Sequence, residues 1–260
     1  MKSTEINEHQ IVNHLKIHKS VSIADAIRIT DSSESTVRRV FKRLEATGNY
    51  LRYYGGLRLI SESNADNDYY YEHTENRHAD AKLKIATLAL SLVQDEDEIY
   101  LDSGTTLARF AAKLAEALDK KELRGVRIFT NSLVNLNLLK RHDVTLIGGK
   151  FRDLRKDFHG YTAEEALKSL HFKKCFLGAD AYSAQNGFTT TDFSTARLNE
   201  LVLERSEVKY VLMDSSKFFL SSTVSYSRRI MPDKILTEKY PDRTYPETAD
   251  LNIDILSYEK

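Results

Sequence analysis

Apolar positions recur at helical spacing through the first sixty residues and alternate between strand-like runs and helical stripes after residue 80, so the chain reads as two regions built on different periods. Ile6, Ile11, Val12, Leu15 and Ile17 mark one face of a first helix, and 20–23 break its period. Ala24, Ala26, Ile27 and Ile29 begin a second, shorter helix. Asp31, Ser32 and Ser33 suit a turn and a helix N-cap, because short oxygen-bearing side chains accept from the free N–H groups of a first turn. Val37, Phe41 and Leu44 then form the buried stripe of a third helix, which Gly48 ends. The runs 50–53 and 57–60, joined through Gly55 and Gly56, read as a two-stranded hairpin of the kind that forms a wing.

Residues 61–80 lose the apolar period and read as a linker. Beyond it the pattern predicts helices at 82–93, 105–118, 132–140, 163–170 and 194–205, alternating with strands at 98–102, 126–130, 144–147, 174–177 and 209–213. Such repetition implies a mostly parallel sheet covered by helices. The expected organisation is a mostly α winged helix-turn-helix over 1–60, a linker over 61–80, and an α/β domain over 81–260.

Charge sharpens this division. The chain carries 38 basic and 38 acidic residues, yet the first sixty hold ten basic against six acidic, leaving 28 against 32 for the remainder. A basic head on an acidic body is the asymmetry of a nucleic-acid-binding end. The longest apolar run, 85–93, is interrupted by Thr87 and Ser91 and falls short of the roughly 20 residues of a membrane span. Acids occupy the N-terminal stretch where a secretory signal would be apolar, so a cytoplasmic location is expected, with no membrane partner. The single cysteine, Cys175, reads as a buried thiol and excludes an internal disulfide or a multi-cysteine zinc site. His14 and His18 lie one turn apart, but nothing near them completes a metal shell. Neither the ATP-binding P-loop nor the dinucleotide-binding glycine pattern is present, and no cofactor is expected.

Two constellations carry candidate chemistry. On the third helix Ser33, Ser35 and Thr36 sit at the start, while Arg38, Arg39, Lys42 and Arg43 lie off the apolar stripe. Hydroxyls and guanidinium groups near a helix start reach base edges or phosphates in a major groove, and Arg52, Tyr53 and Arg58 would extend the contact onto a wing. The second constellation begins with Asp102, Ser103, Gly104, Thr105 and Thr106, a short loop between strand and helix. Free backbone N–H groups, a positive dipole end and hydroxyl donors suit a phosphate. Thr130, Asn131 and Ser132 repeat the arrangement; Gly148 and Gly149, and Gly178 before Asp180, end further strands; Lys217 follows another. Ligands of open α/β sheets sit at the carboxyl ends of strands, so these pieces converge on one crevice.

In order and spacing the motifs S33-x-x-T36-V-R-R39, L44-E-x-x-G48, Y54-G-G56, L101-D-S-G-T-T106, T130-N-S132, G148-G149, F176-L-G178 and D214-S-S-K217 resemble those of the DeoR-type repressors of bacterial sugar metabolism, over about residues 6–240. The resemblance implies a winged helix-turn-helix followed by a sugar-phosphate-sensing domain with the fold of ribose-5-phosphate isomerase and CoA transferases. It further implies a homo-oligomer on double-stranded operator DNA, repressing a carbohydrate operon under control of a phosphorylated sugar. The chain departs from the family's usual residues at Ser32, Val40 and Tyr54. The alternative reading is an isomerase-like enzyme with a DNA-binding head, for which Asp102, Asp180, Asp192 and Asp214 are possible carboxylate bases.

Overall fold

The computed structural model describes residues 3–18, 20–47, 50–53, 56–59, 71–241 and 253–259. The chain divides into two compact units, Met1–Asp68 and Tyr69–Lys260.

The first unit comprises α1 (Ser3–His18), β1 (Ser20–Ser22), α2 (Ile23–Thr30), α3 (Glu34–Glu45), β2 (Tyr50–Tyr53) and β3 (Gly56–Leu59). Ile11, Leu15, Val21, Ala26, Val37, Val40, Phe41, Leu44 and Leu57 form its core. Val40 completes the buried stripe of α3, so its departure from the family pattern is a packing residue. Between α2 and α3 the backbone turns through Asp31 in the left-handed region, with φ 48°, and Ser33 caps α3 by accepting from Thr36 N–H at 3.4 Å. Ser32 Oγ accepts from Asn7 Nδ2 at 2.7 Å and donates to the Thr30 carbonyl, tying the turn to α1. The 20–22 segment that breaks the helical period is itself a strand: β1 pairs antiparallel with β3, placing Val21 opposite Leu57. The stops at Gly48 and Gly55 lie outside the described residues. Ser33→Ala removes the α3 cap at a cost of about 1 kcal/mol, and should speed amide exchange of the α3 first turn in the full chain about fivefold.

The second unit opens with α4 (Tyr71–Thr74) and α5 (Ala79–Ser91), then β4 (Glu98–Leu101), α6 (Thr105–Asp119), β5 (Arg127–Thr130), α7 (Leu133–Leu139) and β6 (Val144–Leu146). There follow β7 (Lys150–Arg152), β8 (Asp157–His159), α8 (Tyr161–Lys168), β9 (Phe172–Gly178), β10 (Ala181–Ser183) and β11 (Gly187–Thr190). α9 (Phe193–Glu204), β12 (Ser206–Leu212), a 3-10 turn (Ser215–Lys217), β13 (Val224–Ser225), β14 (Lys234–Lys239) and β15 (Asp254–Glu259) complete the order. Of the expected linker, 61–70 lie outside the described residues, whereas Tyr71 is buried in this unit, its N–H bonded to the Leu154 carbonyl at 2.9 Å.

Seven strands form one sheet in the order β15-β14-β12-β9-β4-β5-β6, with every neighbouring pair parallel. Alternate strand residues feed two cores. Ile99, Leu101, Phe176, Tyr210 and Leu212 pack against α5 and α6 on one face; Tyr100, Cys175, Leu177, Val211 and Met213 pack against α8 and α9 on the other. Burial from both sides explains why these strands read as continuous apolar runs. β4 stands mid-sheet although it is first in the chain. The path runs outward through β5 and β6 and then returns to β9 on β4's other side, so the carboxyl ends of β4 and β9 flank the topological switch point where such sheets hold ligands.

Candidate nucleic-acid and effector sites

The apolar stripe of α3 faces the core, and Ser35, Arg38, Arg39, Lys42 and Arg43 are exposed on its other side. These cations are not equally available. Arg38 pairs with Glu34 at 2.6 Å and Arg43 with Glu8 of α1 at 2.8 Å, while Arg52 lies 3.7 Å from Glu45. Arg39 and Lys42 form no ion pair among the described residues and are the two cations of α3 left uncommitted. The side chains of Tyr53 and Arg58 lie outside the described residues.

At the switch point Asp102 leaves β4 buried. Its carboxylate accepts from Ser103 N–H at 2.7 Å, from Gly178 N–H at 3.1 Å and from Asn199 Nδ2 at 3.3 Å. It thus fastens the end of β4 to the end of β9 and to α9. Burial pushes its acid up to about 6 against the pull of those donors, with the neighbouring charge of Asp157 adding to the rise. Asp102 shapes the loop. Gly104 sits at φ 115°, a backbone region that side-chain-bearing residues avoid. It starts α6 with no side-chain cap and no acid in the first turn, where the helix dipole favours negative charge. Thr105 and Thr106 are buried there.

The other expected pieces divide by role. Thr130 Oγ1 accepts from Ser132 N–H at 3.1 Å and from Asn135 Nδ2 at 3.2 Å, and Ser132 caps α7; both are committed to holding their own turn. Asn131 donates to the Phe158 carbonyl at 3.2 Å. A Cβ on Gly149 would stand 2.5 Å from the His159 carbonyl, so this glycine serves the close approach of two backbones, whereas Gly148 faces open space. Lys217 reaches across to the end of β9, donating to the Ala179 carbonyl at 2.7 Å.

Two features were not singled out in the sequence. One is a buried ion network: Arg152 grips Asp157 through two hydrogen bonds of 2.8 and 2.7 Å and reaches Asp192 at 2.5 Å, while Ser103 Oγ donates to Asp157 at 3.2 Å. Burial opposes the charge on Asp192, but Arg152 and the N–H of Thr195 outweigh it and hold the acid at about 2. The network joins the β7–β8 hairpin to the α6 loop and the start of α9. The other is cationic. Lys82, on α5, is buried and donates to the Thr74 carbonyl at 2.5 Å. Burial and then the charges of Lys217, Arg109 and Arg77, opposed by Asp214, lower its ammonium to about 8. Lysines are almost never fully buried unless paired; here the charges of Lys217, Arg109, Arg77 and Asp214 all act on Lys82, and Glu75 lies 4.0 Å from Arg109. In sequence Lys82 is one polar residue in a helical pattern, with nothing to mark it as buried. Arg109, one helical turn beyond the Thr105–Thr106 start of α6, could have been placed near the loop by spacing alone.

A basic helix behind a turn, joined in one chain to a parallel α/β unit with a Gly-Ser-Thr loop at its switch point, is the architecture of a ligand-responsive transcription regulator. Residues 8–63 match the model of the DeoR-like helix-turn-helix domain, and residues 77–239 match that of the DeoR C terminal sensor domain. The chain belongs to the DeoR family. It is 33% identical over 213 residues, 81% of this chain and 82% of the relative, to the uncharacterised HTH-type transcriptional regulator FruR of Bacillus subtilis. To the lactose phosphotransferase system repressor of Lactococcus lactis it is 31% identical over 232 residues, covering 88% and 89%. Among solved structures, ribose 5-phosphate isomerase A from Methanocaldococcus jannaschii overlays with a TM-score of 0.41 at 22% identity, over 54% of each chain. No helix among the described residues is long and apolar enough to cross a membrane.

Proposed function

We propose that this regulator represses a carbohydrate-utilisation operon in the cytoplasm, binding double-stranded operator DNA as a homo-oligomer and responding to a phosphorylated sugar held at the β4–β9 switch point. Two observations support the reading: α6 starts without a side-chain cap, and Arg109, one turn into that helix, belongs to a cluster with Lys82 and Lys217 whose excess of positive charge suits a phosphate dianion. The relatives' names, one of them a repressor of a sugar phosphotransferase system, favour a sugar as the rest of the ligand. Pairs of α3 helices related by two-fold symmetry would read half-sites about one helical turn apart.

A role in binding rather than turnover is supported by what the four candidate bases do. Asp102 clamps two strand ends, and Asp180 accepts from Thr190 and from Thr191. Asp192 caps α9 and Asp214 caps the 3-10 turn. Each is committed to backbone or hydroxyl donors, whereas a proton-transferring base must face substrate.

Glucose 6-phosphate, fructose 1-phosphate, fructose 6-phosphate, ribose 5-phosphate and glucosamine 6-phosphate, with inorganic phosphate as the anion alone, form a test panel for thermal shift. A ligand present at about 100 times its Kd stabilises the folded state by about 2.7 kcal/mol and must raise the melting temperature. Affinity for the responding sugar phosphate should also fall as pH rises through about 8. Lys82 is charged below that value, and a bound dianion favours its charged form. No shift with any member would refute the assignment; a shift independent of pH between 7 and 9 would remove Lys82 from it.

A further inference from the structure

The polar contacts of α4 have a feature that packing alone does not require. This four-residue helix lies where the chain enters the second unit, one end held by the β7–β8 turn and the other by Lys82. At its start, Tyr71 N–H donates at 2.9 Å to the Leu154 carbonyl, in the turn of the β7–β8 hairpin. Arg152 and Asp157 of that hairpin form the buried ion network, and Asp157 takes the hydroxyl of Ser103 from the α6 loop. At its end, the Thr74 carbonyl accepts from Lys82 Nζ, and the next residue, Glu75, faces Arg109 at 4.0 Å. The hydroxyl and the two cations that a phosphate at α6 would recruit therefore restrain α4 here, directly or through one hairpin.

We infer that α4 is the switch that carries effector occupancy toward the DNA-binding unit: a phosphate that draws Ser103, Lys82 and Arg109 to itself releases both ends of α4 and thereby changes the chain's connection to the first unit. The inference rests on the phosphate assignment of the preceding section and adds the route by which that site acts. Energetically it needs only the exchange of partners. Lys82 gives up a neutral carbonyl and Arg109 a half-exposed carboxylate for a dianion, and charge-assisted bonds to phosphate are the stronger ones. A ligand favours the released state by no more than its difference in affinity for the two states, and this exchange supplies such a difference.

Two measurements on the full chain test it. In the first, amide exchange is followed with and without the panel member giving the largest thermal shift. Residues 71–77 should exchange about tenfold faster when that ligand is saturating, while β4, β9 and β12 stay protected. In the second, Tyr71→Cys and Leu154→Cys are combined. A direct backbone hydrogen bond brings these residues within reach of a disulfide, whose Cα atoms stand roughly 4.4–6.8 Å apart. The native Cys175 is buried, with its thiol pushed up to about 12 by that burial, and stays out of the exchange. Oxidised, the variant should bind the ligand by calorimetry yet show no ligand effect on its affinity for a DNA fragment selected by the wild-type protein; reduction should restore the effect. Unchanged exchange at 71–77 in a ligand-saturated protein would overturn the inference while leaving the phosphate site standing, as would an oxidised variant as responsive as the reduced one. If the double variant does not fold or cross-link, the exchange measurement on the wild-type chain decides alone. Failure of every panel member to bind would remove the site and the inference together.

Discussion

Replacing Arg39 and Lys42 together by alanine should lower affinity for the selected DNA fragment about a hundredfold, whereas Arg38→Ala alone should lower it by no more than about tenfold. The difference comes from what each cation already does. Arg38 must leave Glu34 and Arg43 must leave Glu8 before either meets a phosphate, so part of what they gain on DNA replaces a pair already made. Those pairs are exposed and individually weak, which makes the offset modest. Arg39 and Lys42 carry no such commitment among the described residues and transfer their charge from water to the phosphate backbone outright. The double variant should also flatten the dependence of log affinity on log salt by about one to two, since each lost phosphate contact releases one fewer counterion. Gel-shift titrations at several salt concentrations, on protein whose helical circular dichroism is unchanged, measure both quantities. Wild-type affinity with a wild-type salt slope would show that α3 does not face DNA.

The sequence carried the long, doubly buried elements and missed the short ones, for a physical reason. β4, β9 and β12 bury both faces toward their carboxyl ends and leave apolar runs at 99–101, 175–177 and 210–212; α6 and α9 are long enough for a helical period to show. β7, β8, β10 and β13 have two or three residues each, too few for alternation, and their pairing is decided by distant partners such as Gly149 beside His159. β15 is half exposed and β14 mixes Glu238 and Thr237 into its buried run, so neither follows a period. The same limit applies to the site. The loop 102–106 stands out in the sequence because its residues are consecutive and of the types that suit a phosphate. The Lys82–Arg109–Lys217 group draws on α5, α6 and the turn after β12, and only the parallel sheet brings these together. Asp157 is exposed to no solvent and holds Arg152 across a tight hairpin, yet in sequence it stands in a run of charges that reads as a solvated surface.

Lys82→Met is expected to make the protein more stable and nearly blind to its ligand. An ammonium that is charged below about 8 in the fold but below 10.5 in the unfolded chain is bound to fewer protons when folded over that interval. Stability therefore rises as pH climbs from about 8 to 10.5, and the full penalty of the buried charge is present at pH 7. At about 1.4 kcal/mol per pH unit the penalty is roughly 3 kcal/mol, and losing the bond to the Thr74 carbonyl costs about 1–2 kcal/mol in return. A net gain of about 1–2 kcal/mol remains, visible as a melting temperature higher by roughly 2–8 °C at pH 7 and shrinking toward pH 10. Affinity for the sugar phosphate should meanwhile fall about ten- to a hundredfold, the worth of one charge-assisted hydrogen bond to a dianion. Opposite signs for the two effects are what separate a sensing residue from a structural one. A variant that loses stability along with affinity would make the loss of binding a consequence of unfolding, and one that gains stability but keeps wild-type calorimetric affinity would mean that the phosphate rests elsewhere.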